Sequence, residues 1–244
     1  MTGQVSGALA EISAFLFDLD GVLTPTAELH MLAWQRTFDQ AFSELGIEPP
    51  YTDADYFAHV DGKKRADGVD TLLRSRGVTL PFGTPQDPPD AVTVNGIGNR
   101  KNVAFGLLLR EDGIVPFPGS LQLLDALRGR PLAVVSSSKN AEEVLRSAGI
   151  RDRFSVVVDG MTAEREHLPS KPAPDVFLRG AELLGADPAR AAAFEDAVSG
   201  VASAAAGGFG LVVGVDRGAG ADALRKAGAH MIVSDLSEFL APRA

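Results

Sequence analysis

The feature that most constrains the fold is a short apolar run, Ala14-Phe15-Leu16-Phe17, that stops abruptly at Asp18-Leu19-Asp20-Gly21. Continuous apolar residues over so short a length, closed by turn formers, read as a strand buried on both faces. Gly21 lets the chain turn sharply after it. Two carboxylates one residue apart therefore stand at the carboxyl end of a buried strand. In an open parallel sheet that edge is where ligands bind. There one carboxylate can act as a nucleophile toward phosphorus, and a second can trade protons with the attacking or leaving oxygen. The same Asp-x-Asp-Gly segment also reads as an ordinary solvated turn.

The second half of the chain supplies the rest of such a sheet. From Pro116 onward, short apolar runs at 132–135, 154–158, 191–194, 211–215 and 231–233 alternate with helical periodicity at 121–127, 141–148, 174–184, 198–206 and 221–227. Strict alternation implies right-handed crossovers and an α/β fold, a Rossmann-like doubly wound parallel sheet. Between Thr24-Pro25-Thr26 and Val115-Pro116-Phe117-Pro118-Gly119 the texture is different. Apolar residues recur at helical spacing over 27–45, 54–60, 66–76 and 100–110, and the Gly-, Pro- and Asp-rich segment 81–99 reads as a long irregular connection. The expected organisation is a core domain over 1–25 and 116–244 with an inserted helical cap domain over 26–115. The joints, stiffened by proline and loosened by glycine, suit a hinge under a lid.

Composition narrows the function classes. A net charge of -9 with no long basic run argues against a nucleic-acid partner. The chain has no cysteine, which fits a reducing compartment. The first ten residues lack the basic start and apolar run of a signal peptide. The longest weakly polar stretch, 201–215, is too short for the roughly 20 apolar residues that span a bilayer. A cytoplasmic protein with no membrane partner is expected.

Polar residues follow the apolar runs directly at Asp18/Asp20, at Ser136 and at Glu195/Asp196. Parallel strands bring such ends to one edge. Four carboxylates there would repel one another, and a divalent cation is the economical remedy. An all-oxygen set without cysteine or clustered histidine favours magnesium, Mg2+. Glu195-Asp196 also reads as an N-cap for the helix at 198–206. Lys171, between Ser170 and Pro172-Ala173-Pro174, sits on a stiff loop and could neutralise Asp18 and an incoming phosphoryl group. Taken alone it reads as an ordinary solvated surface lysine.

In order, Asp18-Leu19-Asp20-Gly21-Val22-Leu23-Thr24, Ser136, Lys171-Pro172-Ala173-Pro174-Asp175 and Phe194-Glu195-Asp196-Ala197-Val198-Ser199-Gly200 resemble the four motifs of the haloacid dehalogenase superfamily. Thr26-Ala27-Glu28, His30, Ala33-Trp34, Gly62 with Arg65, Arg100-Lys101-Asn102 and Ser136-Ser137-Ser138-Lys139-Asn140 are similar to its beta-phosphoglucomutase-like branch. The resemblance implies a phosphosugar mutase that carries beta-glucose 1-phosphate to glucose 6-phosphate through the 1,6-bisphosphate. Asp18 would be the nucleophile and Asp20 the general acid/base, with Ser136 and Lys171 gripping the phosphoryl group. Magnesium would be held by Asp18, the Asp20 main-chain carbonyl and Asp196, with Glu195 close by.

A mutase also needs a site for the phosphate that is not being transferred. The resemblance implies Arg65, Ser138, Lys139 and Asn140 for it, and Thr26, His30 and Lys101 among the other substrate-binding residues. His30 would orient Asp20 or a sugar hydroxyl; it also reads as a partly buried helix histidine. Trp34 is expected to pack, and His59, His167 and His230 to be surface or packing residues. The 81–99 segment is longer than in compact mutases and resembles relatives associated with disaccharide phosphorylases. A sugar-phosphate phosphatase on the same scaffold and a non-catalytic phosphosugar-binding module are the alternatives. The expected partner is a free sugar phosphate, and the expected assembly a monomer or weak oligomer.

Overall fold

A computed structural model describes residues 5, 7–61 and 63–240. The chain divides into two compact units, one formed by residues up to Pro25 and from Ile114 onward, the other by Thr26–Gly113.

The inserted unit is helical: α1 (Thr26–Leu45), α2 (Asp53–Asp55) running into a π-helical turn (Tyr56–Val60), α3 (Arg65–Ser75) and α4 (Val94–Asp112). Its core is built from Trp34, Phe38 and Phe42 of α1, Val69, Leu72 and Leu73 of α3, and Val94 and Ile97 of α4. Phe38 stacks on Trp34 at 5.1 Å and on Tyr51 at 5.0 Å, so Trp34 packs, as expected. Helix α4 begins earlier than its composition suggests. Residues 94–99, expected as irregular chain, form its first turns, because the Thr93 hydroxyl accepts from the Gly96 N–H at 2.9 Å. A Cβ on residue 96 would lie 2.2 Å from the Ala91 carbonyl oxygen, so the glycine that weakens the helix signal is what lets the preceding turn fold against it. That turn is tied down by Asp87, whose carboxylate accepts from the Thr84 and Thr93 hydroxyls at 2.8 and 2.6 Å.

The other unit is a six-stranded parallel sheet: β1 (Ala14–Phe17), β2 (Leu132–Val135), β3 (Val156–Val158), β4 (Ala191–Glu195), β5 (Leu211–Val215) and β6 (Met231–Val233), in the spatial order β3-β2-β1-β4-β5-β6. Helices α5 (Pro118–Ala126), α6 (Ala141–Ser147), α7 (Gly160–Arg165), α8 (Asp175–Leu183), α9 (Val198–Ala206) and α10 (Ala221–Lys226) complete the α/β alternation. Helix α7 is an addition to the expected elements. The Asp159 side chain caps it, accepting from the Thr162 N–H at 2.8 Å.

Along β1, side chains alternate between two buried faces. Leu16 packs with Phe177 and Ala181 of α8 and with Val201 and Ala204 of α9. Phe17 points the other way, stacked on Phe194 at 4.6 Å with Phe154 edge-on. Helix α8 comes very close to the sheet at Gly180, where a Cβ would lie 2.8 Å from Leu16 Cδ2. Among the described residues no helix is long and apolar enough to cross a membrane.

Candidate active site

Strand β1 lies between β2 and β4, with Phe17 in register with Val134 and Phe194. The next residues along these three strands are Asp18, Ser136 after Val135, and Glu195, so their ends are neighbours. The Asp18 N–H continues the ladder to the Phe194 carbonyl at 2.9 Å, which fixes the backbone that presents its carboxylate.

At this edge Lys171 is buried with Asp18 and Glu195. Its Nζ donates to Asp18 Oδ1 at 2.6 Å, to Glu195 Oε1 at 2.5 Å and to the Val135 carbonyl at 3.2 Å. Its three protons thus have three acceptors, which rules out the solvated reading for this lysine. The loop that delivers it is anchored by the Ser203 hydroxyl, which donates to the Ala173 carbonyl at 2.6 Å. Burial by itself would favour the neutral amine, but the Asp18 and Glu195 carboxylates outweigh it and hold Lys171 protonated. Asp18 is pushed above the usual carboxylate range, first by burial and then by Glu195 and Asp20, against the pull of Lys171.

Glu195, expected close to a metal, is bound on both oxygens. Here one oxygen meets Lys171 and the other accepts from the Ala197 N–H at 2.8 Å, so the side chain orients the lysine and turns the chain into α9. Gly200 makes this possible, since a Cβ there would lie 1.8 Å from Glu195 Oε1. Asp196 points elsewhere. Its Oδ2 lies 2.0 Å from where a Cβ on Gly21 would be, which seats its carboxylate on the turn that follows Asp18 and Asp20. Asp20 and Thr24 form a β-bridge across this turn.

Among the described residues no three His, Asp or Glu side chains are grouped to hold a metal ion. The donor set still fits magnesium, which is commonly held through only one or two carboxylates with water and substrate oxygens. Asp196 beside the Asp18–Gly21 turn supplies such a set.

The residues that follow β2 form a short ladder. The Ser136 hydroxyl accepts from the Ser138 N–H, and the Ser138 hydroxyl from the Asn140 N–H, each at 3.1 Å. Lys139, expected at a phosphate, is ion-paired with Glu164 of α7. That partner comes from α7, a helix whose six residues are too few to show a period in the sequence.

Within the helical unit, Thr26 is fully buried at the start of α1. Lys101 is buried as well, hydrogen-bonded to His30 Nδ1 with its ammonium 4.7 Å from the Phe105 ring centroid and 5.4 Å from that of Trp34. His30 itself stacks on Phe105 at 4.2 Å. Arg65 opens α3 and lies over Gly98, where a Cβ would come within 3.1 Å of its Cγ. Gly98 is a supporting position that sequence reading missed. Gly62 lies outside the described residues. His230 is an exposed surface residue, within the expected range, and its Nδ1 accepts from the Val212 N–H at 3.0 Å, closing β5 onto the approach to β6.

A doubly wound sheet whose central strand ends in Asp-x-Asp beside a buried lysine and two further acids defines a class. Residues 12–208 match the haloacid dehalogenase-like hydrolase family, and the chain belongs to it. Among individual proteins, it is 49% identical over 249 residues to a protein of Mycobacterium bovis named beta-phosphoglucomutase, covering 97% of this chain and 95% of the relative. It is 32% identical over 212 residues to a Bacillus subtilis protein of the same name, covering 85% of this chain and 84% of that one. The crystal structure of beta-phosphoglucomutase from Clostridium difficile superimposes with a TM-score of 0.76 at 26% identity, covering 93% of this chain and 92% of that chain.

Proposed function

We propose that the chain is a phosphosugar mutase that converts beta-glucose 1-phosphate to glucose 6-phosphate through an aspartyl-phosphate on Asp18 and a bound 1,6-bisphosphate. The observation that carries this reading is the buried bridge from Lys171 to Asp18 and Glu195 at the carboxyl edge of the central strand. Near-full-length similarity to a relative of that name supports the choice of sugar phosphate.

In this reading Asp18 accepts a phosphoryl group on its free oxygen while Lys171 holds the other and offsets the charge that builds on the phosphoryl oxygens. Asp20 takes the proton from the attacking sugar hydroxyl and returns it to the leaving oxygen in the reverse direction. Ser136, at the end of β2, hydrogen-bonds the phosphoryl group in transfer. Magnesium would be held by Asp18, the Asp20 main-chain carbonyl and Asp196, and would supply neutralisation of the phosphoryl charge.

Ser138, Lys139 and Asn140 are assigned to the phosphate that is not transferred, with Lys139 exchanging Glu164 for it. Arg65 is assigned to substrate on the strength of its guanidinium fork and its shelf at Gly98. Thr26, His30 and Lys101 complete the proposed substrate-binding set. The protein would act in the cytoplasm on a free sugar phosphate, as a monomer or weak oligomer.

The test is a product assay by phosphorus NMR with beta-glucose 1-phosphate, magnesium and a trace of the 1,6-bisphosphate. Glucose 6-phosphate is the expected product. Inorganic phosphate without glucose 6-phosphate would instead establish a phosphatase, the reading that the family's hydrolase description favours.

A further inference from the structure

The turn that carries Asp20 and seats Asp196 is held by donors from several elements. Its Leu19 carbonyl accepts from the N–H groups of Leu23 and Thr24, its Val22 carbonyl from the Ser120 hydroxyl at 2.7 Å, and its Leu23 carbonyl from the Phe117 N–H at 3.0 Å. The Gly21 carbonyl is taken by a charged side chain from the far side of β4: Arg217, two residues beyond the end of β5, donates from Nε at 2.9 Å. The same guanidinium donates from Nη1 to the Ser234 carbonyl at 3.0 Å and lies 4.0 Å from the Phe117 ring centroid. Asp235 stands 3.9 Å from its Nη2 and is itself pressed against Gly119, where a Cβ would lie 1.8 Å from its Oδ1.

These contacts have one geometric consequence. Gly21 is the residue against which the Asp196 carboxylate rests, and its carbonyl is the group Arg217 grips. A planar fork stacked on a ring and engaged at two carbonyls loses little freedom on binding, so it fixes the position of what it holds. The hydroxyl and amide donors around it secure Val22 and Leu23, which follow the turn. The Gly21 N–H is spent within the turn on the Thr24 carbonyl at 2.8 Å, and Arg217 holds the Gly21 carbonyl from the β5 side.

We propose that Arg217 is a positioning residue for phosphoryl transfer, holding the Gly21 carbonyl so that the Asp18–Gly21 turn and Asp196 keep their mutual placement. This rests on the reading that Asp18 is the phosphoryl acceptor. Arg217 touches neither phosphate nor sugar in this account; it acts through the turn. Small displacements of groups that align a reacting atom lower turnover far more than they lower binding.

The experiment compares wild type with Arg217→Ala and Arg217→Lys. In Arg217→Ala, kcat should fall by about ten- to a hundred-fold, with KM for the phosphate ester nearly unchanged. The magnesium concentration for half-maximal turnover should rise. Added guanidinium should restore part of the lost kcat, whereas the lysine variant, with charge but no fork, should remain impaired. In the metal-free protein, amide hydrogen exchange over 19–24 should quicken in Arg217→Ala while that of β1 and β4 stays as in wild type. Arg217→Ala with kcat near wild type, or a loss of kcat with exchange over 19–24 unaltered, would overturn the proposal. If the alanine variant does not fold, the lysine variant carries the same comparison. If wild type turns over no phosphate ester, the proposed function fails, and the exchange measurement alone decides the role of Arg217.

Discussion

Gly21 and Asp196 share one space: Asp196 Oδ2 occupies a point 2.0 Å from where the Cβ of any other residue at position 21 would have to be, and Gly21 has φ +81. Two independent reasons therefore demand glycine there, backbone conformation and the seat of a carboxylate.

Gly21→Ala should accordingly cost stability modestly, about 1–2 kcal/mol for the left-handed backbone. It should cost activity much more, on the order of a hundred-fold in kcat, because Asp196 is displaced. Urea denaturation and steady-state kinetics on the same preparation separate the two effects.

Asp18→Asn should fold normally, since the amide oxygen can still accept from Lys171, and should lose roughly four orders of magnitude in turnover. Mass spectrometry after mixing with a phosphoryl donor should show the phosphorylated species in wild type and none in the variant.

Lys171→Met should destabilise the protein by about 3–5 kcal/mol, because it strands two carboxylates that are largely cut off from water. Adding Glu195→Gln should recover part of that loss, since one uncompensated charge is removed. A double-mutant cycle in urea measures the coupling, and strict additivity of the two changes would contradict the bridged arrangement.

Arg65→Ala and Gly98→Val should have similar signatures if Gly98 is the shelf on which Arg65 lies. Both should reduce turnover of a sugar phosphate more than hydrolysis of a small aryl phosphate. Equal losses on both substrates would remove Arg65 from the sugar-phosphate site.

In the helical unit, Asp55 accepts from the Thr52 hydroxyl and N–H, each at 2.9 Å, and from Arg76 at 2.7 Å. Burial pulls its pKa upward, but these bonds prevail and hold it below the usual carboxylate range. A carboxyl lowered on folding adds stability that is fully present above its unfolded pKa and is lost as pH falls through the folded one. Arg76→Ala should therefore cost about 1.5–3 kcal/mol at neutral pH and progressively less at acid pH. Urea midpoints taken from pH 7 down to pH 3 would trace the convergence.

Much of this was legible without coordinates. Apolar runs ending in Asp18, Ser136 and Glu195 announce strand ends because burial on both faces and the turn that follows are local properties of the sequence. The parallel alternation after Pro116 follows from the same periodicity. Elements with weak local signals were missed or shortened. Residues 94–99 contain Asn95, Gly96, Gly98 and Asn99, poor helix formers, and become helical through the Thr93 cap and the packing of Val94 and Ile97. The six-residue α7 is too short to show a period, and with it went the partner of Lys139.

The sequence alone determined the alternation and which polar residues stand at strand ends, since each depends on neighbours within a few positions. Tertiary structure decided the pairings: that Glu195 serves Lys171 while Asp196 rests on Gly21, that Arg65 lies over Gly98, and that Arg217 reaches back to the first turn. Those contacts depend on strand order and on how closely backbones approach at glycines, and such distances are set only when the sheet and its helices pack.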